Sequence, residues 1–338
     1  MTHEFKAILH KAYANQKKCG LQVLATVVHL EGSSYRKPGV RMLICDNGDM
    51  TGAVSGGCIE KEVINQSQTV FETQVPKIMT YDGRYRLGCE GILYILIEPF
   101  YVSDLLFESF SKCIEDRASF KITSYFNKLE EPSERFGSII QFENREVLVF
   151  KPEFESSKSQ NLSIFSQTLQ PCFRLLIFGG EHDTVKLCAM ANLLGWDVEI
   201  ITSIKDPKSL TDFPGAKSVI AQAPELYEIS IDSETAVVLM NHNYVLDLKY
   251  LIKLEALKPK YIGILGASKR REKLKNELLE YCPEATESFL ESIFSPAGLD
   301  LGSISPEEIA LSILAEILAI SRHKEPKSLK TFAGTIHS

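Results

Sequence analysis

From residue 173 onward the chain repeats one pattern, a short apolar run followed by a helical segment and another apolar run. Runs near 173–178, 197–202, 216–220, 235–240 and 260–265 have strand character, with helix-type spacing between several of them. Such alternation calls for a parallel sheet, because strands that point the same way need crossovers, and the crossovers cover both faces. The expected architecture is a Rossmann-like doubly wound sheet of order 3-2-1-4-5, in which the first and fourth strands are neighbours. The loops after Phe178 and Met240 then face one another at the strand ends, where open sheets of this kind bind ligands.

The pattern before residue 173 is different. Phe5, Ile8, Leu9, Ala12 and Tyr13 recur at helical spacing, Gly20 stops that segment, and Leu21–His29 reads as a strand. Arg41–Cys45 reads as a second strand, Asp46–Asp49 as a hairpin turn and Ser55–Val70 as a loop feeding a helix; Lys77–Tyr81 and Ile92–Glu98 supply further strands. Three short strands are expected within 119–151, around the polar turn Asn127–Arg135. The chain of 338 residues is too long for one ordinary core and suits two. The expected division is a mixed α/β domain at 1–151, a polar linker at 152–170, the Rossmann-like domain at 171–322 and a mobile tail at 323–338. Leu162, Ile164 and Phe165 are the apolar exceptions within the linker. Ser305 as cap, Pro306 at the first helical position and Glu308 form a capping box that opens the last helix, whose apolar stripe is Ile309, Ile313, Ile317 and Ile320.

A hydrophobic content of 44% with 24% charged residues is that of an ordinary packed globular protein. The net charge of -7 gives no overall reason to bind nucleic acid or an anionic membrane. The opening residues carry no basic-then-apolar leader and no run approaches ~20 apolar residues, so neither export nor membrane insertion is expected. Eight scattered cysteines without a CxxC pair suit reduced thiols in a cytoplasm and lack the spacing of iron–sulfur ligation. A homodimer is the default for a chain of this kind.

Three glycine-flanked segments in the first half carry candidate chemistry. Gly32–Met42 holds Ser33, Ser34, Arg36, Lys37 and Arg41, hydroxyls and cations suited to an anionic group. On composition alone the same segment reads as a solvated surface connection. Ser55, Gly56 and Gly57 precede a helix, where free backbone N–H groups and the helix dipole favour an anion, and Cys58 lies in the same field, which favours its thiolate. Gly88-Cys89-Glu90-Gly91 repeats the motif of a cysteine between glycines, and the plain alternative for both cysteines is a small buried residue.

These stretches, GSSYRKPGVRM and SGGCIE, resemble the XdhC/CoxI family, accessory proteins of molybdenum hydroxylases such as xanthine and carbon monoxide dehydrogenases. FGGEHD, LGWDVEI, MNHNYVLD, YIGILGASKRR and SPAGLDLGSISPEEIALSILAEI resemble that family's C-terminal Rossmann module, in order and spacing. The resemblance implies a maturation factor, not an enzyme that turns over. It would bind the molybdenum cofactor, a pterin dithiolene ending in phosphate, protect it while a cysteine desulfurase installs its terminal sulfur, and assist its insertion into the apo-hydroxylase. Cys58 and Cys89 are then candidate contacts to the molybdenum end, since thiolates are soft donors.

The second half offers a crevice instead. After its first strand stand Gly179, Gly180, Glu181, His182, Asp183 and Thr184, where a full dinucleotide fingerprint needs glycine at 179, 181 and 184. Glu181 and Thr184, together with Thr202 at the end of the second strand, argue against ordinary NAD(P) binding. His182, Asp183, Asn241, His242 and Gly266 are nonetheless ligand-type residues at a ligand-type position, although structural hydrogen bonds are the commoner use of such histidines. Lys269, Arg270 and Arg271 open a helix where cations oppose the dipole, which suggests a bound phosphate or acidic partner; the plainer reading is a solvated turn neutralised by Glu272 and Glu277. Two other functions stay open, a nucleotide-dependent oxidoreductase using this crevice and a docking protein that bridges desulfurase and apo-hydroxylase without holding cofactor.

Overall fold

A computed structural model of the protein describes residues 1–16, 20–34, 37–55, 57, 59–85, 91–144, 146–266 and 268–331. The chain divides into two units, Met1–Pro171 and Cys172–Ser338.

The first unit runs α1 (Thr2–Gln16), β1 (Gln22–Glu31), β2 (Arg41–Cys45), β3 (Met50–Gly52), α2 (Glu60–Thr73), β4 (Lys77–Asp82), β5 (Ile92–Pro99) and α3 (Asp104–Glu115). It continues with β6 (Phe120–Phe126), β7 (Gly137–Phe142), β8 (Val147–Val149) and β9 (Ser163–Leu169). Strands β3-β2-β1-β5-β4 form one antiparallel sheet and β8-β7-β6-β9 a second. Residues alternate between the faces of a strand. Val23, Ala25 and Val27 of β1 therefore pack with Val63 and Val70 of α2, while Leu24 joins Phe5, Ile8 and Leu9 of α1, Phe110 of α3 and Phe120 and Ile140 of the second sheet. Both faces of β1 are covered, which is why its sequence reads as a continuous apolar run.

Two elements depart from expectation. Residues 152–170 are not an extended linker: β9 pairs with β6 along its whole length, from Phe120 against Leu169 to Phe126 against Ser163. It lies at the edge of its sheet, where polar side chains stay wet, so its alternation is one of serine, glutamine and threonine rather than of apolar residues. Leu162 and Phe165 do pack onto a small core with Phe126 and Phe136, whereas Ile164 is exposed. Helix α3 is the second departure, although Ser103 caps it by accepting a hydrogen bond from the Leu106 amide (3.1 Å), and Leu106, Phe110 and Cys113 form its buried stripe.

The second unit contains β10 (Arg174–Phe178), α4 (His182–Leu193), β11 (Asp197–Thr202), β12 (Ser218–Ala221), β13 (Thr235–Leu239), α5 (Tyr244–Leu257), β14 (Ile262–Ile264), α6 (Ser268–Tyr281), α7 (Glu287–Glu291), β15 (Ile293–Phe294) and α8 (Pro306–Ser321). The sheet is parallel with order β12-β11-β10-β13-β14-β15, the expected 3-2-1-4-5 extended by the two-residue strand β15. One face packs on α4 and α8 through Leu187, Ala191, Ile313 and Ile317, the other on α5 and α6 through Leu251, Leu254, Leu274 and Leu278. This is a doubly wound Rossmann-like sheet, and the capping box of Ser305 and Glu308 opens α8 as the sequence implied. Among the described residues no helix is long and apolar enough to cross a membrane.

Candidate functional site

Strand polarity gathers the three glycine-flanked segments of the first unit. Because β3, β2, β1, β5 and β4 alternate in direction, the connections 32–40, 53–59 and 83–91 all leave the same end of the sheet. Gly91 lies directly on the first of them: a Cβ there would come within 2.6 Å of the Ser33 carbonyl oxygen and 2.9 Å of that of Glu31. The Gly83 amide donates to the Gly91 carbonyl at 3.0 Å, closing the third segment at its base. Ser33 and Ser34 are half-buried beside this contact. Arg36, Gly56, Cys58 and Cys89 lie outside the described residues.

Within the second segment, the Ser55 amide donates to Oε1 of Glu60 (2.7 Å) and its hydroxyl to Oε2 (2.8 Å). Burial alone would raise the Glu60 pKa, but the hydrogen bonds, chiefly from Ser55, outweigh it and hold the carboxylate below its usual range. Ser55 is therefore turned onto a carboxylate of its own loop, a partner present in the SGGCIE motif that sequence reasoning alone leaves without a role. Gly57 has φ +117, and apart from the glycine and its chain neighbours no heavy atom of the described residues lies within 4 Å of the position a Cβ would take. At the edge of the same sheet end, Asp82 is paired with Arg84 at 2.6 Å, which lowers its pKa. Lys128 pairs with Glu31 and lies 5.1 Å from the Tyr94 ring centroid.

Arg41 is not a surface cation of the first segment. It is only 6% exposed, and its guanidinium is 5.5 Å from the Phe5 ring centroid on the inner face of the sheet. One NH group donates to the Gly39 carbonyl (2.8 Å) and to Oε1 of Gln167 (2.7 Å). Burial lowers its pKa to about 10, partly offset by the charge of Glu98. Glu98 is fully buried and accepts from the Ser138 amide (2.8 Å) and hydroxyl (2.6 Å). Burial pushes its pKa up to about 7 against those bonds and the Arg41 charge. All five residues of β2 are buried, so its sequence has no polar alternation to reveal which way Arg41 points.

In the second unit, groups of the protein itself approach one another closely after β10 and β13. Gly179 has φ +134, and a Cβ there would lie 2.6 Å from the Met240 carbonyl oxygen and 3.1 Å from the Asn241 amide nitrogen. A Cβ on Gly180 would meet Thr202 at 3.1 Å and the Lys208 stem at 3.3 Å. Thr184, at the third fingerprint position, is fully buried against the Met240 sulfur. Gly180 is half-buried and Glu181 exposed. Across the crevice the Asn241 amide donates to Oδ1 of Asp247 at 2.9 Å, while Arg270 pairs with Oδ2 and donates to the Asn241 carbonyl at 3.1 Å. Asp247 is fully buried, and burial raises its pKa to about 6 despite both partners. The Arg270 stem packs on Gly266, and Arg271 donates to the Ser295 carbonyl (3.0 Å) and pairs with Glu272 (2.9 Å). Both arginines thus have internal work that accounts for cations in a first helical turn. His182 and His242 are exposed and Asp183 half-buried. Among the described residues no group of three or more His, Cys, Asp or Glu could hold a metal ion.

Residues 21–82 match the model of the XdhC and CoxI family, and residues 175–317 match that of the XdhC Rossmann domain. The chain belongs to the XdhC and CoxI family. The first match takes in the connections 32–40 and 53–59, and the second runs from β10 into α8. A probable subunit of xanthine dehydrogenase from Bacillus subtilis is 29% identical over 317 residues, 88% of this chain and 92% of its own. The molybdenum cofactor insertion chaperone PaoD of Escherichia coli is 25% identical over 338 residues, 97% of this chain and 92% of its own. The crystal structure of a xanthine dehydrogenase from Bacillus halodurans aligns with a TM-score of 0.75 at 25% identity, covering 95% of this chain and 97% of that one.

Proposed function

We propose that the protein is an accessory factor of a xanthine dehydrogenase-type molybdenum hydroxylase and that the molybdenum cofactor is its cargo. The observation that carries this reading is the convergence of the segments 32–40, 53–59 and 83–91 at one end of the first sheet. A phosphorylated pterin dithiolene needs backbone and hydroxyl donors for its phosphate and soft donors for its metal. The converging segments contain Ser33, Ser34, Arg36, Gly56 and Gly57 for the first task and Cys58 and Cys89 for the second. The relatives, one named for xanthine dehydrogenase and one for cofactor insertion, support the same role along nearly the whole chain. In this reading the protein works in the cytoplasm as a homodimer, shelters the cofactor while a cysteine desulfurase supplies its terminal sulfur, and hands it to the apo-hydroxylase.

The test is to purify the protein from a host with intact cofactor synthesis and to measure molybdenum by elemental mass spectrometry and pterin by fluorescence after oxidation. Both are expected in similar molar amounts, and Cys58→Ala is expected to lower both about tenfold, the effect of losing one good ligand contact of roughly 1.4 kcal/mol. Protein that carries neither metal nor pterin, while still co-purifying with a hydroxylase, would replace the carrier with a docking role.

A further inference from the structure

We infer that Arg41 and Gln167 form a clamp that positions the 32–40 segment from inside the molecule, so that Arg41 acts through the loop and is not itself a ligand of the cargo. The inference rests on the carrier reading above and assigns the arginine of the GSSYRKPGVRM stretch a different task from its neighbours. Three observations carry it. The guanidinium donates to the carbonyl of Gly39, the last turn of the loop before β2. It is held by Oε1 of Gln167, a residue of β9 on the other sheet, 126 positions away in sequence. Gly39, with φ +99, lies so close to Gln167 that a Cβ would sit 2.4 Å from the side-chain nitrogen, so the loop end meets the glutamine by contact as well as through Arg41.

The remaining contacts of the pair favour holding over binding. Nε and the second terminal nitrogen of Arg41 are buried without a hydrogen-bond partner among the described residues, as is the hydroxyl of Thr26, its register neighbour on β1. Groups sealed on the inner face of the sheet cannot reach a ligand at the loop surface. Glu98 supplies charge compensation from β5, and the Gln167 amide nitrogen is turned to the Met1 sulfur at 3.5 Å. One terminal nitrogen of Arg41 thus bridges a loop carbonyl and a side chain of the second sheet.

The experiment compares Gln167→Leu, which removes the acceptor, with Gln167→Glu, which keeps one. Amide hydrogen exchange is followed across the first unit in the purified full chain, and cargo content is measured in the same preparations. In Gln167→Leu, exchange within 32–40 should rise about tenfold, the value of one lost hydrogen bond in local opening, and cargo content should fall in parallel. The rest of the first unit should exchange as before, and Gln167→Glu should restore both readouts. Unchanged exchange in 32–40, or a uniform rise throughout the unit, would overturn the clamp. A local rise in exchange in a protein whose wild type carries no molybdenum or pterin would uphold the clamp and sink the carrier reading instead.

Discussion

Two glycine turns in this chain look alike in sequence and differ in what surrounds them. At Gly57 the space a side chain would occupy is open, whereas at Gly179 it is filled by the backbone of Met240 and Asn241. The first turn stands at the loop end of an antiparallel sheet, and the second lies at the switch point of a parallel one. The same contrast holds for the charges. In the second unit Asp247, Arg270 and Asn241 satisfy one another across the crevice. A glycine after a strand is therefore evidence of close approach, and only coordinates tell whether the approaching group is a ligand or another part of the chain.

The largest expected effect tests whether the parallel-sheet crevice is self-held. Arg270→Met would leave Asp247 as a buried carboxylate without its counter-charge, which costs about 3–5 kcal/mol. Because Arg270 is one of the groups holding the Asp247 pKa down to about 6, its removal raises that pKa further, so the cost should be greatest at pH 8 and shrink as pH falls toward about 6, where the carboxyl takes up a proton in both proteins. Urea unfolding at the two pH values measures it, and a small, pH-independent change would mean the crevice does not depend on this pair. Next comes the glycine contrast itself. Gly179→Ala combines backbone strain with a clash against backbone and should cost about 3 kcal/mol or more, while Gly57→Ala should cost only the strain, about 1–2 kcal/mol. Equal losses in thermal unfolding would erase the distinction.

A smaller effect concerns the first unit's own buried pair. The folded pKa of Glu98, about 7, lies above the ordinary 4.5, so the folded state holds that proton more tightly than the unfolded chain. Its contribution to stability is full below about 4.5 and is lost as pH rises through about 7, a decline of at most about 3 kcal/mol. Glu98→Gln should flatten this decline, although Arg41 loses its counter-charge, so the slope of stability against pH is the diagnostic rather than the value at one pH. A slope identical to wild type between pH 5 and 8 would refute the assignment.

The parallel sheet was legible because its strands read as short apolar runs with helical segments between several of them, and its order is the usual one for such sheets. Strand β15 escaped because two residues carry no period, and β9 because an edge strand of serine, glutamine and threonine resembles a polar connection. The convergence of the glycine-flanked segments could not be read beforehand, since it depends on strand order, which hydrophobic pattern does not encode for this antiparallel sheet. Arg41 was readable as a cation near the loop but not as a buried one, because β2 has no exposed residue to mark its outer face. Glu98 and Asp247 passed unnoticed for a related reason: an acidic residue at a strand end or in a helix usually faces water, and what makes these two unusual is supplied by Ser138, Asn241 and Arg270 from distant parts of the chain.

The alternating direction of the five strands in the first sheet separates two kinds of change. Residues can be added to or removed from the middle of 32–40, 53–59 or 83–91 without shifting the register of a strand pair, whereas one extra residue inside Lys77–Asp82 would turn its inward side chains to solvent. Over many generations such a scaffold lets the loops at that end diversify while the pairing beneath them stays constant.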